Sequence, residues 1–299
     1  MGAAERLAAL LPADAAALLA ERGDRVTQIR LRSDRPVQID GVGGTGVMSG
    51  EPLEASALKR ILAALMEYSV YARQEELDQG FFTLADGSRV GVCGRMVGEG
   101  SHLRMAEIGS ACLRVARPVK GSADALIGHI APGGGPLRSA LLLSPPGLGK
   151  TTMLRDIARQ LSDGGWCVGI ADERHELAAC HLGVPTLDVG ARTDVMDGCP
   201  RDQAIARMIR GMAPGVIVAD EIGGEGDARA LADAVRCGAA VMTSAHASGL
   251  AQALTRPHLR SVIEGGIVDI LALLGPSPGT LEAVWHRGPG EGVGAWRRA

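Results

Sequence analysis

The sequence predicts a smaller α+β domain followed by a parallel α/β domain, and three observations carry that division. Up to about residue 121 the apolar residues alternate singly, as in half-buried strands, or gather on one helical face. At Ala131 to Pro136 (APGGGP) the composition breaks. Beyond it, short apolar runs alternate with helical stretches, the pattern of a parallel sheet with crossover helices. The expected domains are 1–121 and 122–299, with a Gly- and Pro-rich tail from about 275 expected to be loosely ordered.

Composition narrows the class. The chain has 299 residues, 46% of them hydrophobic and only 2% aromatic, so aliphatic side chains must fill the core. The formal net charge is −3 and no long basic run occurs, so no nucleic-acid partner is expected. Six scattered cysteines form no C-x-x-C pair and read as reduced thiols of a reducing cytoplasm. No apolar run reaches the ~18 residues of a membrane span. The N-terminus does not read as a signal peptide, and a soluble protein is expected.

In the first domain, Leu7, Leu10, Leu11, Leu18 and Leu19 suggest short helices around Pro12. Val26 to Ile39 alternates, with a turn at Ser33 to Pro36. Gly41 to Gly50 reads as a glycine-rich loop. Leu53 to Ala72 reads as a helix with Leu58, Ile61, Leu62, Leu65 and Met66 on one face. Gly80 to Gly94 reads as a hairpin turning at Ala85 to Ser88, and Ala111 to Ala116 as a strand.

The second domain carries the chemistry. Ser139 to Leu143 is an apolar strand running into Ser144, Pro145, Pro146, Gly147, Leu148, Gly149, Lys150, Thr151 and Thr152. A helix follows, with Met153, Leu154, Ile157, Ala158 and Leu161 on one face. This strand, loop and helix order is the context a Walker A match requires. Glycines let backbone N–H groups turn inward around phosphate oxygens, and the helix N-terminus adds partial positive charge. Lys150 is the expected β,γ-phosphate ligand and Thr151 offers a hydroxyl to Mg²⁺. Ser144 stands where the pattern usually has its first glycine.

Two acidic strand ends follow. Val216 to Ala219 leads into Asp220 and Glu221, a Walker B pattern: Asp220 would hold Mg²⁺ through water, and Glu221 would orient the attacking water. Cys167 to Ala171 leads into Asp172, Glu173, Arg174, His175 and Glu176, in the layer where parallel sheets gather active residues. Ala239 to Thr243 leads to Ser244 and His246, a candidate γ-phosphate sensor. The expected fold is therefore a RecA-like P-loop NTPase core behind a smaller α+β domain, acting as a Mg²⁺-dependent ATPase.

Walker A, acidic box, Walker B and histidine box, in that order, resemble the secretion-ATPase superfamily of type II and type IV secretion motors. The stretches YSVYARQEELDQGFFTLADGSRVGVCGR, PPGLGKTTMLRDIARQLS, DERHELA, DVGARTDVMDGCPR and SAHASG resemble more closely the stage III sporulation AA family. The resemblance implies ATP and Mg²⁺ as ligands, with Glu173 and then Asp172 as the acidic-box residues, Glu221 and His246 completing the catalytic set, and Arg114 and Arg117 as N-terminal-domain arginines. Arg192 and Arg201 are further candidates. It also implies a hexamer on the cytoplasmic face of a membrane. There it would be held by membrane proteins of a sporulation channel between mother cell and forespore. Two other readings stand beside it: a RecA-like nucleic-acid-directed ATPase, and a structural ring component that binds ATP with little hydrolysis.

Overall fold

The computed structural model describes residues 3–41, 44–66, 74–84, 88–98, 103–115, 119–133, 135–180, 182–288 and 296–299. Two compact units divide the chain, Met1–Arg117 and Pro118–Ala299.

In the first unit, helices α1 (Ala3–Ala8) and α2 (Ala13–Arg22) flank Pro12. Strands β1 (Val26–Arg32), β2 (Arg35–Gly41) and β3 (Gly44–Leu53) follow, then α3 (Ala55–Leu65), α4 (Gln74–Asp78), β4 (Phe81–Thr83), β5 (Arg89–Val97) and β6 (Arg104–Arg114). Among the described residues these strands form one sheet in the order β3-β2-β1-β6-β5-β4, and every pairing is antiparallel. The alternation in β1 and β2 puts Ile29, Leu31, Val37 and Ile39 on the buried face, against Leu58, Ile61, Leu62 and Leu65 of α3. Each such side chain contributes roughly 1.5–3 kcal/mol when fully buried. The opposite face keeps its polar groups in water, with Arg30 Nε 3.3 Å from Asp40.

Two expectations change here. Residues 44–50, expected as loop, belong to β3, which pairs with β2 through Ile39↔Val47 and Gln38↔Met48. Glycine masks a strand in sequence, but here it leaves room for neighbouring side chains: a Cβ on Gly46 would meet the Asp40 and Gln38 side chains. The helix expected over Leu53 to Ala72 is observed as Ala55–Leu65. Residues 67–73, and 85–87 of the expected hairpin turn, lie outside the described residues.

The second unit opens with α5 (Asp124–Ile130), β7 (Ala140–Ser144), α6 (Lys150–Asp163), β8 (Val168–Asp172), β9 (Thr193–Asp197) and α7 (Arg201–Met212). It continues through β10 (Val216–Ala219), α8 (Glu225–Arg236), β11 (Ala240–His246), α9 (Leu250–Leu254), α10 (Pro257–Glu264), β12 (Ile270–Leu274), β13 (Leu281–Arg287) and β14 (Trp296–Arg298). The sheet order is β14-β13-β12-β7-β11-β10-β8-β9, parallel from β12 to β9 and antiparallel at β13 and β14. Helices cover both faces, which is why β7, β8, β10 and β12 read as continuous apolar runs. Leu126, Leu154, Ile157 and Leu161 pack on one face, and Ile205, Leu231, Leu259 and Val262 on the other.

The segment from 275, expected to be loosely ordered, instead adds β13 and β14 to the sheet edge, with Leu271↔Trp285 and Trp285↔Arg298 in register. Among the described residues its glycines and prolines lie outside the strands, in the turn Gly275 to Thr280 and at Gly288. The strand itself (LEAVWHR) is short and needs only the free edge of β12 to pair.

Candidate functional site

Parallel strand order assembles the site from distant segments. Ser144 pairs with His246 across β7 and β11, Ala219 with Thr243 across β10 and β11, and Ala219 with Ala171 across β10 and β8. The carboxyl ends of β7, β11, β10 and β8 thus lie side by side, and the residues that follow them form one polar layer.

The phosphate-type loop connects β7 to α6. Gly147 and Gly149 adopt φ +80 and +90, and Gly149 caps the helix. Leu148 O accepts the Gly279 N–H at 3.1 Å. Because C=O and N–H of one peptide point oppositely, this bond turns the Gly149 N–H away from the β12–β13 turn. The N–H groups of the first turn of α6 have no partner within the helix, so this end favours an anion. Ser144 ends β7 with an ordinary strand backbone, so the missing glycine introduces no strain, and its Oγ lies 3.1 Å from Lys150 Nζ. Pro145 contributes its carbonyl to the same ammonium at 3.2 Å.

Lys150 is 5% exposed and its Nζ also meets His246 Nδ1 at 2.9 Å. Burial lowers its pKa, with Asp220 and Glu221 opposing that shift. An ammonium only donates, so Nδ1 must accept and Nε2 carries the imidazole proton. Nε2 then donates to Glu221 Oε1. Lys150, His246 and Glu221 form a continuous hydrogen-bonded chain. Burial pushes the Glu221 carboxyl up, but His246, Arg174 and Lys150 outweigh it and hold the group below the usual carboxylate range. Glu221 also sits at φ +55, a left-handed conformation costing roughly 1 kcal/mol or more for a residue with a side chain.

Asp220 accepts from Thr151 Oγ1 on one oxygen and from Ser244 Oγ on the other. The same Ser244 hydroxyl accepts the Glu221 N–H at 3.0 Å, so one side chain positions both acidic residues. Hydroxyl and carboxylate oxygens are the hard donors Mg²⁺ prefers, and Mg²⁺ keeps several waters rather than needing a full protein cage. The Thr151–Asp220 pair therefore fits such an ion, and the glycine-built loop fits a phosphate chain.

The acidic box divides its tasks. Asp172 is 3% exposed, and its carboxylate accepts the N–H groups of Glu176, Leu177 and Ala178 at 2.8, 3.2 and 2.8 Å. Although expected in the catalytic set, it is engaged in holding its loop. Glu173 is partly exposed and pairs with Arg201 Nη2 at 3.0 Å, while Arg201 Nη1 meets Asp227 at 2.8 Å. A cleft of about 560 Å³ opens here, with Glu173, Arg174, Arg201, Glu221, Arg256 and His258 in its wall.

Of the arginines expected near the nucleotide, Arg201 joins this layer. Arg192 does not: it precedes β9 beside the start of β8, at the amino ends of the parallel strands. Arg114 ends β6 in the first unit, exposed, and Arg117 lies outside the described residues. Sequence reasoning left Ser244, Arg174 and Gly279 without roles. Ser244 was detectable as the residue two before His246 at a strand end. Gly279 left no signal, because its role comes from a backbone contact.

This fold and this layer define a P-loop NTPase of RecA-like architecture with a smaller α+β unit before it. Residues 5–290 match the family described as sporulation stage III, protein AA, and the chain belongs to that family. It is 34% identical over 276 residues to the stage III sporulation protein AA of Bacillus subtilis (strain 168), covering 88% of this chain and 87% of that one. Among solved structures it is similar in fold to the Legionella pneumophila ATPase DotB, with TM-score 0.53 and 18% identity over 87% of this chain and 74% of that one. The pilus retraction motor PilT with bound ADP gives TM-score 0.57 and 14% identity over 85% and 75%. Among the described residues no helix is long and apolar enough to cross a membrane.

Proposed function

We propose that this chain binds and hydrolyses Mg-ATP as a ring-forming motor, most simply a hexamer, that energises a secretion-like channel of sporulation between mother cell and forespore. It would work at the cytoplasmic face of a membrane, attached through membrane proteins of that channel. The observation that carries the ATPase reading is the hydrogen-bonded chain Lys150–His246–Glu221 beside Thr151–Asp220. It links the phosphate-binding cation to the carboxylate best placed to orient water. Family membership and the fold shared with DotB and PilT support the motor and the ring.

In this reading the N–H groups of Gly147 to Thr152 and the Lys150 ammonium hold the phosphates. Mg²⁺, when bound at Thr151 and Asp220, neutralises charge on the phosphoryl oxygens. Glu221 accepts a hydrogen bond from the attacking water, and His246 reports to Glu221 where Lys150 is. Ser244 keeps Asp220 and Glu221 in register. Arg114 and Arg117 are proposed to act from the first unit, within or between subunits.

The test is Lys150→Ala and Glu221→Gln, each measured for ATP binding, hydrolysis and assembly size. Lys150→Ala is expected to lose binding. Glu221→Gln is expected to keep binding and to slow hydrolysis by ~10²-fold or more, as loss of water-orienting catalysis would. A folded Glu221→Gln chain that hydrolyses ATP at the wild-type rate refutes the assignment of the base. A Glu221→Gln chain that still supports a working channel favours a structural ring.

A further inference from the structure

We infer that Arg174 is a phosphate-sensing arginine supplied by the ATPase unit itself: it pairs with Glu221 and exchanges that carboxylate for the terminal phosphate of a bound nucleoside triphosphate. This inference rests on the ATPase reading above.

The argument starts from position. Arg174 lies two residues beyond Asp172, whose carboxylate pins the following loop through three backbone N–H groups. The loop base is therefore fixed, while the Arg174 side chain is 62% exposed and reaches across to Glu221, with Nη1 2.6 Å from Oε2. Arg201, in the same cleft wall, is 7% exposed and spends Nη1 and Nη2 on Asp227 and Glu173. Arg201 is a clamp; Arg174 is free to move.

Charge supplies the next step. Lys150 and Arg174 flank Glu221, one through His246 and one directly. The carboxylate thus lies between two cations, held directly by Arg174 at the cleft and through His246 to Lys150 at the phosphate-type loop. A terminal phosphate placed against Lys150 competes with Glu221 for both. Guanidinium offers phosphate a planar two-point contact, so the exchange is favourable for arginine. It also releases Glu221 Oε2 for water. Presence of the third phosphate and freedom of the base are then coupled through one side chain. A diphosphate ends short of Arg174 and leaves the Arg174–Glu221 pair in place.

The experiment measures affinity rather than turnover. Binding of Mg-ADP and of Mg with a slowly hydrolysed ATP analogue is measured by calorimetry on the full chain, for wild type, Arg174→Ala and Arg174→Lys. The wild type is expected to prefer the triphosphate. Arg174→Ala is expected to keep its ADP affinity within about two-fold and to lose about ten-fold or more in triphosphate affinity, the scale of one charge-assisted hydrogen bond. Arg174→Lys, which keeps the charge and loses the fork, should fall between them. A wild-type chain that binds neither nucleotide overturns both this inference and the ATPase reading. A wild type without preference for the triphosphate, or an Arg174→Ala chain that keeps the wild-type ratio or loses both ligands alike, overturns the Arg174 assignment alone.

Discussion

Replacing Gly149 and Gly147 separately by alanine tests how the phosphate-type loop is held. Both have positive φ, at +90 and +80, so alanine at either position carries the left-handed penalty of about 1–2 kcal/mol. Their surroundings differ. A Cβ on Gly147 meets nothing within 4 Å, whereas a Cβ on Gly149 falls 3.2 Å from Gly279 N and 3.8 Å from its Cα. Those are backbone atoms of a turn closed by its own bonds, Gly275 N–H to Thr280 O at 2.8 Å and Thr280 Oγ1 to Ser277 O at 2.7 Å, so the turn yields little. Relief of the contact displaces the Leu148 O to Gly279 N–H bond, worth about 1 kcal/mol. Gly149→Ala should therefore cost about 2–3 kcal/mol and Gly147→Ala about 1–2. The assay is urea unfolding followed by tryptophan fluorescence. All three tryptophans, Trp166, Trp285 and Trp296, lie in the Pro118–Ala299 unit, so the signal reports that unit alone. Equal costs for the two variants, or a larger cost for Gly147→Ala, would refute the claim that the β12–β13 turn props the loop.

Three further outcomes are expected. Asp172→Asn should destabilise the second unit by roughly 2–3 kcal/mol in the same assay, because one of the two oxygens that accept backbone N–H groups becomes an NH2 that faces a donor; a stable but inactive variant would return Asp172 to the catalytic set. Burial, followed by Asp197 and Asp172, pushes the Cys180 thiol up to about 12. At pH 8, alkylation read by mass spectrometry should therefore modify the exposed Cys93, Cys167 and Cys237 well before Cys180, and equal rates would contradict this. Burial, then His129 and Arg138, lowers the pKa of His286 from its ordinary 6.5. The unfolded chain then takes up a proton that the folded chain resists, so stability should fall as pH drops through about 6.5 and below. His286→Gln should flatten that decline, and an unchanged slope would show that His286 does not drive it.

The residues to which the proposed chemistry is assigned were legible in the sequence because their pattern is local. Gly147 to Thr152 must be contiguous for backbone N–H groups to wrap one phosphate, and Asp220 with Glu221 must follow a buried strand to sit at its end. The apolar runs of β7, β8 and β10 are continuous because both faces of a parallel sheet are covered, which made the fold class readable. Strand β3 and the edge strands β13 and β14 were not, since glycine interrupts β3, glycines and prolines separate β13 and β14 from their neighbours in the sequence, and each is held as a strand only by the open edge of the sheet it joins. Tertiary structure alone decided who meets whom in the polar layer. Strand order placed His246 between Lys150 and Glu221, 96 and 25 residues away along the chain. It turned Asp172 inward onto backbone N–H groups and left Glu173 and Arg174 facing the cleft, although the three are consecutive. It also brought Gly279 against Leu148, a contact between two main chains that no side chain announces. Residue types set which reactions are possible, and the long-range pairing of strands determines which of those residues share a site.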